Sequence, residues 1–339
     1  MRSLFVLVIL SHELFRCLGI STCASEYYGV AKLMISLICI FCVTAAFLFI
    51  LSLHHRNGWL RRFFVSFFKH GSDLLFGAQF SSASMVGAAI WEYERIRSQT
   101  YKIIQRYRQF RINRTGWRGE IETWWRNLTE GQKMFVPICF INVVTFLAWR
   151  VPAFQKTMVR YFCANPANAT CWPMLLSTFS HYSIFHLAAN MYVLHSFSTI
   201  AVTTLGKEQF LALYLSSGVI ASFASHAYKI MFGVPGLSLG ASGAIMGVLG
   251  FICTQYPDIR LSIIFLPMFT FTAGMAIKGI MAMDVVGCTL GWKYFDHAAH
   301  LGGALFGIFW QIWGNANIWQ KREPLLTLWH RFREYSRSQ

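Results

Sequence analysis

One serine and one histidine lie in apolar stretches of this chain where hydrolysis would ordinarily lack water. Ser242 stands in the segment LGASGAIMG, and His300 stands in the segment AHLGG. A serine hydroxyl becomes a nucleophile when a neighbouring base takes its proton, and histidine is a common base for this purpose. These two residues therefore make attack on a carbonyl group one chemistry that the sequence could support.

Further polar residues interrupt another apolar segment, upstream of the serine. His186 and Asn190 are four residues apart, so on a helix both would project from one face. His181 and His195 lie in the same segment, and we place all four residues on the second helix of the core. Side chains of His186 and Asn190, together with the backbone N–H of Ser242, could donate hydrogen bonds to an oxyanion.

Two other interpretations use the same residues. One is a metal site of four histidines, namely His181, His186, His297 and His300. The sequence has no His-Glu-x-x-His helix and no carboxylate beside the first pair, so we predict no metal and no cofactor. The other interpretation is that the polar side chains only bridge helices and that the serine only permits close packing. Residue types alone do not separate this interpretation from the serine site.

Glycines next to the two residues favour the serine site. Each residue is followed by two glycines that are four residues apart: Gly243 and Gly247, and Gly303 and Gly307. This spacing of small residues lets helix backbones approach each other closely. Two crossings separate the two helices, so they run parallel. If their glycine faces meet, Ser242 and His300 lie at the same end of the contact.

The overall composition places these residues in a membrane. Of the 339 residues, 55% are hydrophobic and 13% are charged, and the mean hydropathy is +0.44. A soluble domain could not bury so much apolar surface, and the alternating pattern of a membrane barrel is absent. The sequence therefore predicts an all-α polytopic membrane protein. The net charge of +16 lies in loops and tails without a nucleic-acid module, so we expect contact with the lipid bilayer and not with nucleic acid.

Six apolar segments of about twenty residues form the predicted core at 134–315. Their predicted bounds are 134–151, 174–197, 208–232, 238–256, 261–281 and 296–313. A basic linker at 92–133 precedes this core, and a basic tail at 316–339 follows it. An even number of crossings puts both basic segments on one side of the membrane, as the positive-inside rule prefers.

The chain before the core contains further candidate segments. The apolar segment at 73–91 predicts an additional transmembrane helix. This segment is rich in small residues, which suit helix packing. Residues 1–72 form a targeting or unassigned region. Within it, 33–53 is a charge-free run that either spans the membrane or belongs to a removed targeting segment. Residues 54–70 are basic, aromatic and free of acid, like a mitochondrial transit peptide.

The loop after the first core segment bears on the cellular compartment. Cys163 and Cys171 could form a disulfide in an oxidising compartment. Asn168 begins a glycosylation sequon, which leaves a secretory location open. The sequence makes no prediction of oligomeric state.

The motifs resemble those of the rhomboid intramembrane serine proteases. Residues 240–243 are similar to the GxSG motif of that family, and residues 299–307 are similar to its AHxxGxxxG helix. The resemblance implies a catalytic dyad of Ser242 and His300 without a required acid. It also implies an oxyanion hole at His186 and Asn190. A further set of residues is implied only as structural neighbours, namely His181, Gly240, Gly243, Gly247, Gly303 and Gly307.

The chain is most similar to the mitochondrial branch of that family, from about residue 73 to the tail. That branch has one extra helix before the six-helix core, where residues 73–91 lie here. The resemblance implies single-span membrane proteins as substrates and a location in the inner mitochondrial membrane. Two departures stand out. Trp172 precedes Pro173 where many bacterial members have arginine, and Met246 replaces a tyrosine that stacks on the histidine.

We therefore expect hydrolysis of a peptide bond in or near a transmembrane segment of another protein. The substrate helix must unwind before attack, so helix-breaking residues near the cleavage site should help. Asp296 either caps the sixth helix or acts as a counter-charge to His300, and the fifth segment, with Pro267 and Gly274, is a candidate substrate entry. The alternative is a non-catalytic rhomboid-like protein that binds membrane clients, for which a missing serine or histidine would be expected.

Overall fold

The computed structural model describes residues 71–106, 116–167, 170–263 and 266–338. Its helices are α1 (Gly71–Arg106), α2 (Trp117–Asn127), α3 (Glu130–Ala148), α4 (Gln155–Tyr161), α5 (Trp172–Leu176), α6 (Ile184–Leu205), α7 (Lys207–Phe232), α8 (Ser242–Gln255), α9 (Ala273–Leu290), α10 (His297–Phe309) and α11 (Glu323–Ser338). One antiparallel hairpin, of β1 (Arg260–Ile263) and β2 (Leu266–Thr272), precedes α9. The predicted helical polytopic fold is confirmed. The candidate segments at 33–53 and 54–70 and the sequon residue Asn168 lie outside the described residues.

Only some of the described helices are long and apolar enough to cross a membrane. Among the described residues, four helical stretches are long and apolar enough to do so: Gly71–Gln99, Glu130–Ala148, Lys207–Phe232 and Ala273–Leu290. The apolar helix α8 has 14 residues, and nearly all of them are buried in the protein. At 1.5 Å per residue it is about 21 Å long, whereas the hydrocarbon core is about 30 Å thick. At least one end of α8 therefore lies within the thickness of the membrane.

The predicted fifth core helix, over 261–281, is wrong in its first half, because β1 and β2 occupy that part of the chain. Aromatic and threonine residues alternate along β2 and favour an extended backbone. Thr272 then caps α9 by accepting a hydrogen bond from the N–H of Met275 at 3.3 Å. Pro267 therefore lies in the hairpin, and Gly274 lies in the first turn of α9.

The predicted second core helix, over 174–197, begins too early. The chain forms the short helix α5 and a 3₁₀ turn, and α6 begins only at Ile184. Two long-range hydrogen bonds hold the intervening segment: the indole of Trp149 donates to Ser180 Oγ at 2.8 Å, and the N–H of Gly240 donates to the Ser177 carbonyl at 2.9 Å. His181 consequently lies before α6 and not on a helix.

The basic linker and the basic tail are more helical than the sequence suggested. α1 extends to Arg106, and α2 lies inside the predicted linker. α2 buries no residue and exposes a stripe of apolar side chains, as a helix on a membrane surface does: Trp117, Ile121, Trp124 and Trp125. In the tail, a π-helical stretch continues α10 from Trp310 to Trp319, and α11 follows.

The tail packs against the second half of α1. Arg322 pairs with Glu92 at 2.7 Å, and the indole of Trp329 donates to Glu94 at 3.0 Å. Arg333 also pairs with Glu94. These contacts place the start of the linker and the tail at one end of the bundle.

Polar pairs attach the additional helix α1 to α7 at both ends. His226 Nδ1 lies 3.1 Å from a carboxylate oxygen of Asp73, and both side chains are buried. At the other end, Arg95 binds the buried Glu208 through two nitrogens, at 2.5 and 3.3 Å. The two helices are therefore antiparallel, and α1 is an integral part of the helical bundle.

Cys163 and Cys171 are free thiols, so the disulfide that the sequence allowed is not formed. Burial raises the pKa of the Cys163 thiol to about 11. Burial, together with the neighbouring carboxylate of Asp73, raises the pKa of the Cys171 thiol. Both thiols are therefore protonated at neutral pH and poorly reactive.

The backbones of α8 and α10 touch at the glycines that the sequence singled out. A Cβ atom at Gly303 would collide with the carbonyl of Gly243, and one at Gly307 would collide with the carbonyl of Gly247. The contacts advance together along both helices, so the helices run parallel, as predicted. The contact therefore brings the first turns of α8 and α10, which contain Ser242 and His300, to the same end of the bundle.

The tightness of this contact is testable with Gly303→Ala. Because the added methyl group has no room beside the Gly243 carbonyl, the two helices must separate. We expect a loss of about 1–3 kcal/mol of stability, measured as a lower Tm of the purified protein in detergent. Gly279→Ala is the matched control, since it lies in α9 and its added Cβ would have nothing within 4 Å. Equal Tm values for the two variants would contradict the close packing.

Candidate active site

Ser242 and His300 are within hydrogen-bonding distance of each other. Ser242 Oγ lies 2.9 Å from His300 Nε2. Ser242 is the first residue of α8, and His300 lies in the first turn of α10. Both side chains are only partly buried, so a reactant can approach them. The distance suits transfer of a proton from the hydroxyl group to the imidazole.

The position of Ser242 at the start of α8 also favours negative charge beside it. α8 begins without a side-chain cap. The first N–H groups of a helix have no acceptor within the helix, and they form the positive end of its dipole. An oxyanion that forms next to Ser242 would therefore meet free backbone donors.

His181 links the oxyanion candidate Asn190 to the loop before Ser242. Its Nε2 accepts a hydrogen bond from the Asn190 amide at 2.8 Å and one from the N–H of Ala241 at 3.3 Å. A backbone N–H can only donate, so Nε2 of His181 is unprotonated and its ring proton lies on Nδ1. Both His181 and Asn190 are buried. His181 therefore fixes the amide of Asn190 relative to the start of α8.

His186 lies against the chain just before Ser242. Its ring stacks edge-on against that of His181, with the centroids 4.9 Å apart. A Cβ atom at Gly240 would be 2.7 Å from Cε1 of His186, and Gly240 has a φ of +132°. Glycine is therefore required at this position both by the backbone conformation and by the imidazole packed against it. This arrangement holds His186 beside the loop that leads into Ser242.

Asp284, which is not among the site residues predicted from the sequence, is the carboxylate that contacts His300. Its Oδ1 is 3.3 Å from Nδ1 of His300 and 2.7 Å from Nδ1 of His297. Asp284 lies in the middle of α9 and is fully buried. One signal in the sequence could have identified it, because an aspartate in an apolar transmembrane segment is rare and tends to mark function.

Asp296 has the capping role that was one of its two predicted roles. Its Oδ1 accepts a hydrogen bond from the N–H of Ala299 at 3.1 Å, which caps α10. Its Oδ2 accepts hydrogen bonds from Ser225 at 2.5 Å and from Lys229 at 3.4 Å. This network ties the start of α10 to α7. The structure shows no hydrogen bond between Asp296 and the imidazole of His300.

Aromatic support for His300 comes from a different residue than the family pattern suggested. Met246, at the position of the bacterial tyrosine, is buried in the core. The ring of Phe295 instead lies 6.1 Å from the ring of His300, measured between centroids. The imidazole of His300 therefore has the Phe295 ring beside it and the Asp284 carboxylate at its Nδ1.

The four-histidine metal set is not assembled among the described residues. The group of potential ligands that the structure brings together is Asp284, His297 and His300, whose ligand atoms lie within 4.8 Å of one another. An ion there would have to displace the hydrogen bonds between the carboxylate and both imidazoles. The arrangement therefore suits proton handling better than metal binding.

Several rhomboid proteins are similar to this chain. A family model described as the rhomboid domain matches residues 168–315, which include every residue of the candidate site. The human presenilin-associated rhomboid-like protein, mitochondrial, is 53% identical over 267 residues, which are 77% of this chain and 70% of that protein. The mitochondrial rhomboid protein 1 of Saccharomyces cerevisiae is 33% identical over 201 residues, 58% of each chain. The rhomboid protease GluP of Bacillus subtilis is 32% identical over 143 residues, 42% of this chain and 26% of that protein.

The role of Gly240 can be tested by substitution with alanine. The added methyl group would push the His186 ring away from the loop before Ser242, so we expect a fluorophosphonate probe to label Ser242 at least about tenfold more slowly. Gly236→Ala is the control, because Gly236 also has a positive φ (+149°) but its added Cβ would have nothing within 4 Å. Equal losses in both variants would attribute the effect to backbone strain and not to the displaced imidazole.

Proposed function

The chain belongs to the rhomboid family of intramembrane serine proteases, and on this premise we propose that Ser242 is its nucleophile and His300 its general base. The observation that carries the proposal is the 2.9 Å hydrogen bond between Ser242 Oγ and His300 Nε2. A protein that only binds membrane clients would not need this pair. The parallel contact of α8 and α10 explains why two residues 58 positions apart meet at one end of the bundle.

The reaction proceeds in two halves. Ser242 Oγ attacks the carbonyl carbon of the scissile peptide bond while His300 Nε2 takes the hydroxyl proton. The tetrahedral intermediate collapses when His300 returns this proton to the departing amine, which leaves an acyl ester on Ser242. A water molecule then attacks the ester with His300 again as base, and the serine is released.

We assign the oxyanion hole to the side chains of His186 and Asn190 and the backbone N–H of Ser242. An asparagine amide has two N–H bonds, and Asn190 uses one of them to His181. The second remains for the oxyanion. Because the donors are held by buried neighbours, they need little rearrangement when the negative charge develops.

The substrates that fit this site are membrane-spanning segments, and we propose single-span membrane proteins. A helical substrate has its carbonyl groups occupied by internal hydrogen bonds, so it must unwind locally to reach Ser242. α9 is the candidate helix beside the substrate entry. Of its 18 residues only four are buried, namely Ala273, Ile277, Asp284 and Gly287. α3 is as weakly buried, with four buried residues of 19, but it carries no residue of the candidate site, whereas Asp284 of α9 contacts His300. Weak burial together with this position supports α9 as the element that moves aside.

The protein is a multi-pass membrane protein of the mitochondrion, like the relatives that are named mitochondrial. We propose the inner membrane as its location. Two features of the sequence support this location: the basic segment at 54–70, which is typical of transit peptides, and the basic residues of the linker and tail.

Substitution of Ser242 by alanine tests the nucleophile. We expect Ser242→Ala to abolish cleavage of a single-span substrate in proteoliposomes, because no other hydroxyl group lies within hydrogen-bonding distance of His300 Nε2 among the described residues. Ser216→Ala is the control, since Ser216 is a buried serine of α7 whose hydroxyl has no hydrogen-bond partner in the described part of the chain. Cleavage by Ser242→Ala at the wild-type rate would refute the proposed function.

Asn190→Ala tests the oxyanion hole. Loss of one preorganised donor should lower kcat by about 10²–10³, whereas the Tm should change little in comparison. His195→Gln, in the same helix, is the control, because the ring of His195 packs against Phe135 with the centroids 5.1 Å apart. Full activity of Asn190→Ala would remove Asn190 from the oxyanion hole.

A further inference from the structure

Asp284 is a fully buried carboxylate that a serine–histidine dyad does not use. Its Oδ1 faces two imidazoles, and its Oδ2 is buried without a hydrogen-bond partner among the described residues. A carboxylate in an apolar interior is unfavourable unless other groups compensate its charge. Its presence in α9, beside the proposed base, therefore calls for a functional explanation.

We propose that Asp284 is a positioning residue of the protease, whose carboxylate accepts a hydrogen bond from Nδ1–H of His300 and so turns the dyad into a triad. The proposal rests on the proposed roles of Ser242 and His300. It departs from the dyad without a required acid that the family resemblance implied.

The tautomer of His300 requires an acceptor at Nδ1. Nε2 can take the proton of Ser242 only if the neutral ring carries its own proton on Nδ1. That N–H needs an acceptor, and Asp284 Oδ1 is the one the structure provides, at 3.3 Å. Ser242 Oγ, the imidazole of His300 and Asp284 Oδ1 thus form a continuous chain of hydrogen bonds.

The negative charge of Asp284 matters once His300 is protonated. When His300 has taken the serine proton, the ring becomes a cation in a largely apolar surrounding. A carboxylate at hydrogen-bonding distance stabilises this cation, and it does so in the transition state more than in the resting enzyme. The effect should therefore appear mainly in kcat.

His297 holds the carboxylate in place. Its Nδ1 lies 2.7 Å from Asp284 Oδ1, and one carboxylate oxygen can accept two hydrogen bonds. Gly287, one turn after Asp284, allows this contact because an added Cβ there would collide with the His297 ring. The hydroxyl of Tyr228 also donates to the Cys288 carbonyl at 2.7 Å and ties this part of α9 to α7.

The position of Asp284 on α9 links the base to the proposed substrate entry. Two of the four buried residues of α9, Asp284 and Gly287, belong to the contact with α10. If α9 shifts away from α10 when a substrate enters, the carboxylate leaves His300. The triad is then complete only when α9 has returned to α10.

A purely structural role is the competing explanation, since His297 lies closer to the carboxylate than His300 does. Asp284 would then only hold α9 to α10 through His297. The two explanations differ in kinetics. A structural role predicts similar losses for Asp284→Asn and His297→Asn, accompanied by a lower Tm. A positioning role predicts that Asp284→Asn lowers kcat at least about tenfold more than His297→Asn does.

The experiment measures kcat, KM and Tm of full-length variants in proteoliposomes with one single-span substrate. Asn is isosteric with Asp and can donate to Nδ1 of His300, which stabilises the wrong tautomer. We expect Asp284→Asn to lower kcat by about 10²–10⁴ with KM nearly unchanged. Asp73→Asn is the matched control, because it breaks another buried Asp–His pair, at His226, away from Ser242. It should leave kcat within about threefold of wild type.

The outcomes separate this proposal from the proposed function. If Ser242→Ala is inactive while Asp284→Asn keeps a near wild-type kcat, the dyad works without the carboxylate and the positioning role is overturned. Loss of wild-type activity on treatment with a metal chelator would also overturn it, in favour of a metal at Asp284, His297 and His300. Activity in Ser242→Ala would instead refute the proposed function itself.

A second variant covers the case in which Asp284→Asn does not fold. Asp284→Ala leaves a space that a small carboxylate can enter, so added formate should raise its kcat at least about tenfold. Formate should not raise the kcat of Asp73→Ala. A flat response of Asp284→Ala to formate would overturn the positioning role.

Discussion

The backbone contact between α8 and α10 is the constraint on which the rest of the structure depends. The glycines at 243, 247, 303 and 307 leave no space for a side chain between the two helices. Because the helices are parallel, their first turns lie together, and Ser242 meets His300 there at 2.9 Å. Two backbones in contact are stiffer than two layers of side chains, so this geometry does not rely on flexible rotamers. The glycines that first suggested simple packing are thus what assembles the candidate nucleophile and base.

Other elements place polar groups around that contact. The segment before α6 provides His181, α6 provides His186 and Asn190, and α9 provides Asp284. Each of these groups has a neighbour that fixes it, and several of the neighbours are themselves buried. Hydrogen bonds in such a low-dielectric interior are strong and directional, and an unpaired group there is unfavourable. These hydrogen bonds therefore hold the polar groups of the site rigidly within the membrane protein.

α9 is buried much less than α7 and α8. α7 and α8 are mostly buried, whereas α9 has only four buried residues and otherwise faces outward. Its attachment to α10 rests largely on polar and glycine contacts at Asp284 and Gly287. A substrate must come from the bilayer, so one wall of the site has to open. A helix with little apolar burial can do this at a low free-energy cost, and the Asp284 carboxylate contacts His300 again only when α9 has returned to α10.

The sequence by itself determined the membrane class, the meeting of Ser242 with His300, and the parallel contact at the glycines. Apolar runs and four-residue spacings are local patterns, and lipid requires the backbone between them to be helical. Only the tertiary structure decided where α6 and α9 begin and which acid reaches His300. Ser180 is held by Trp149, and Gly240 by Ser177, across long stretches of chain. Asp284 meets His300 because two separate helices pack side by side. Contacts of this kind depend on how the helices are arranged in space, and no local spacing of residues encodes that arrangement.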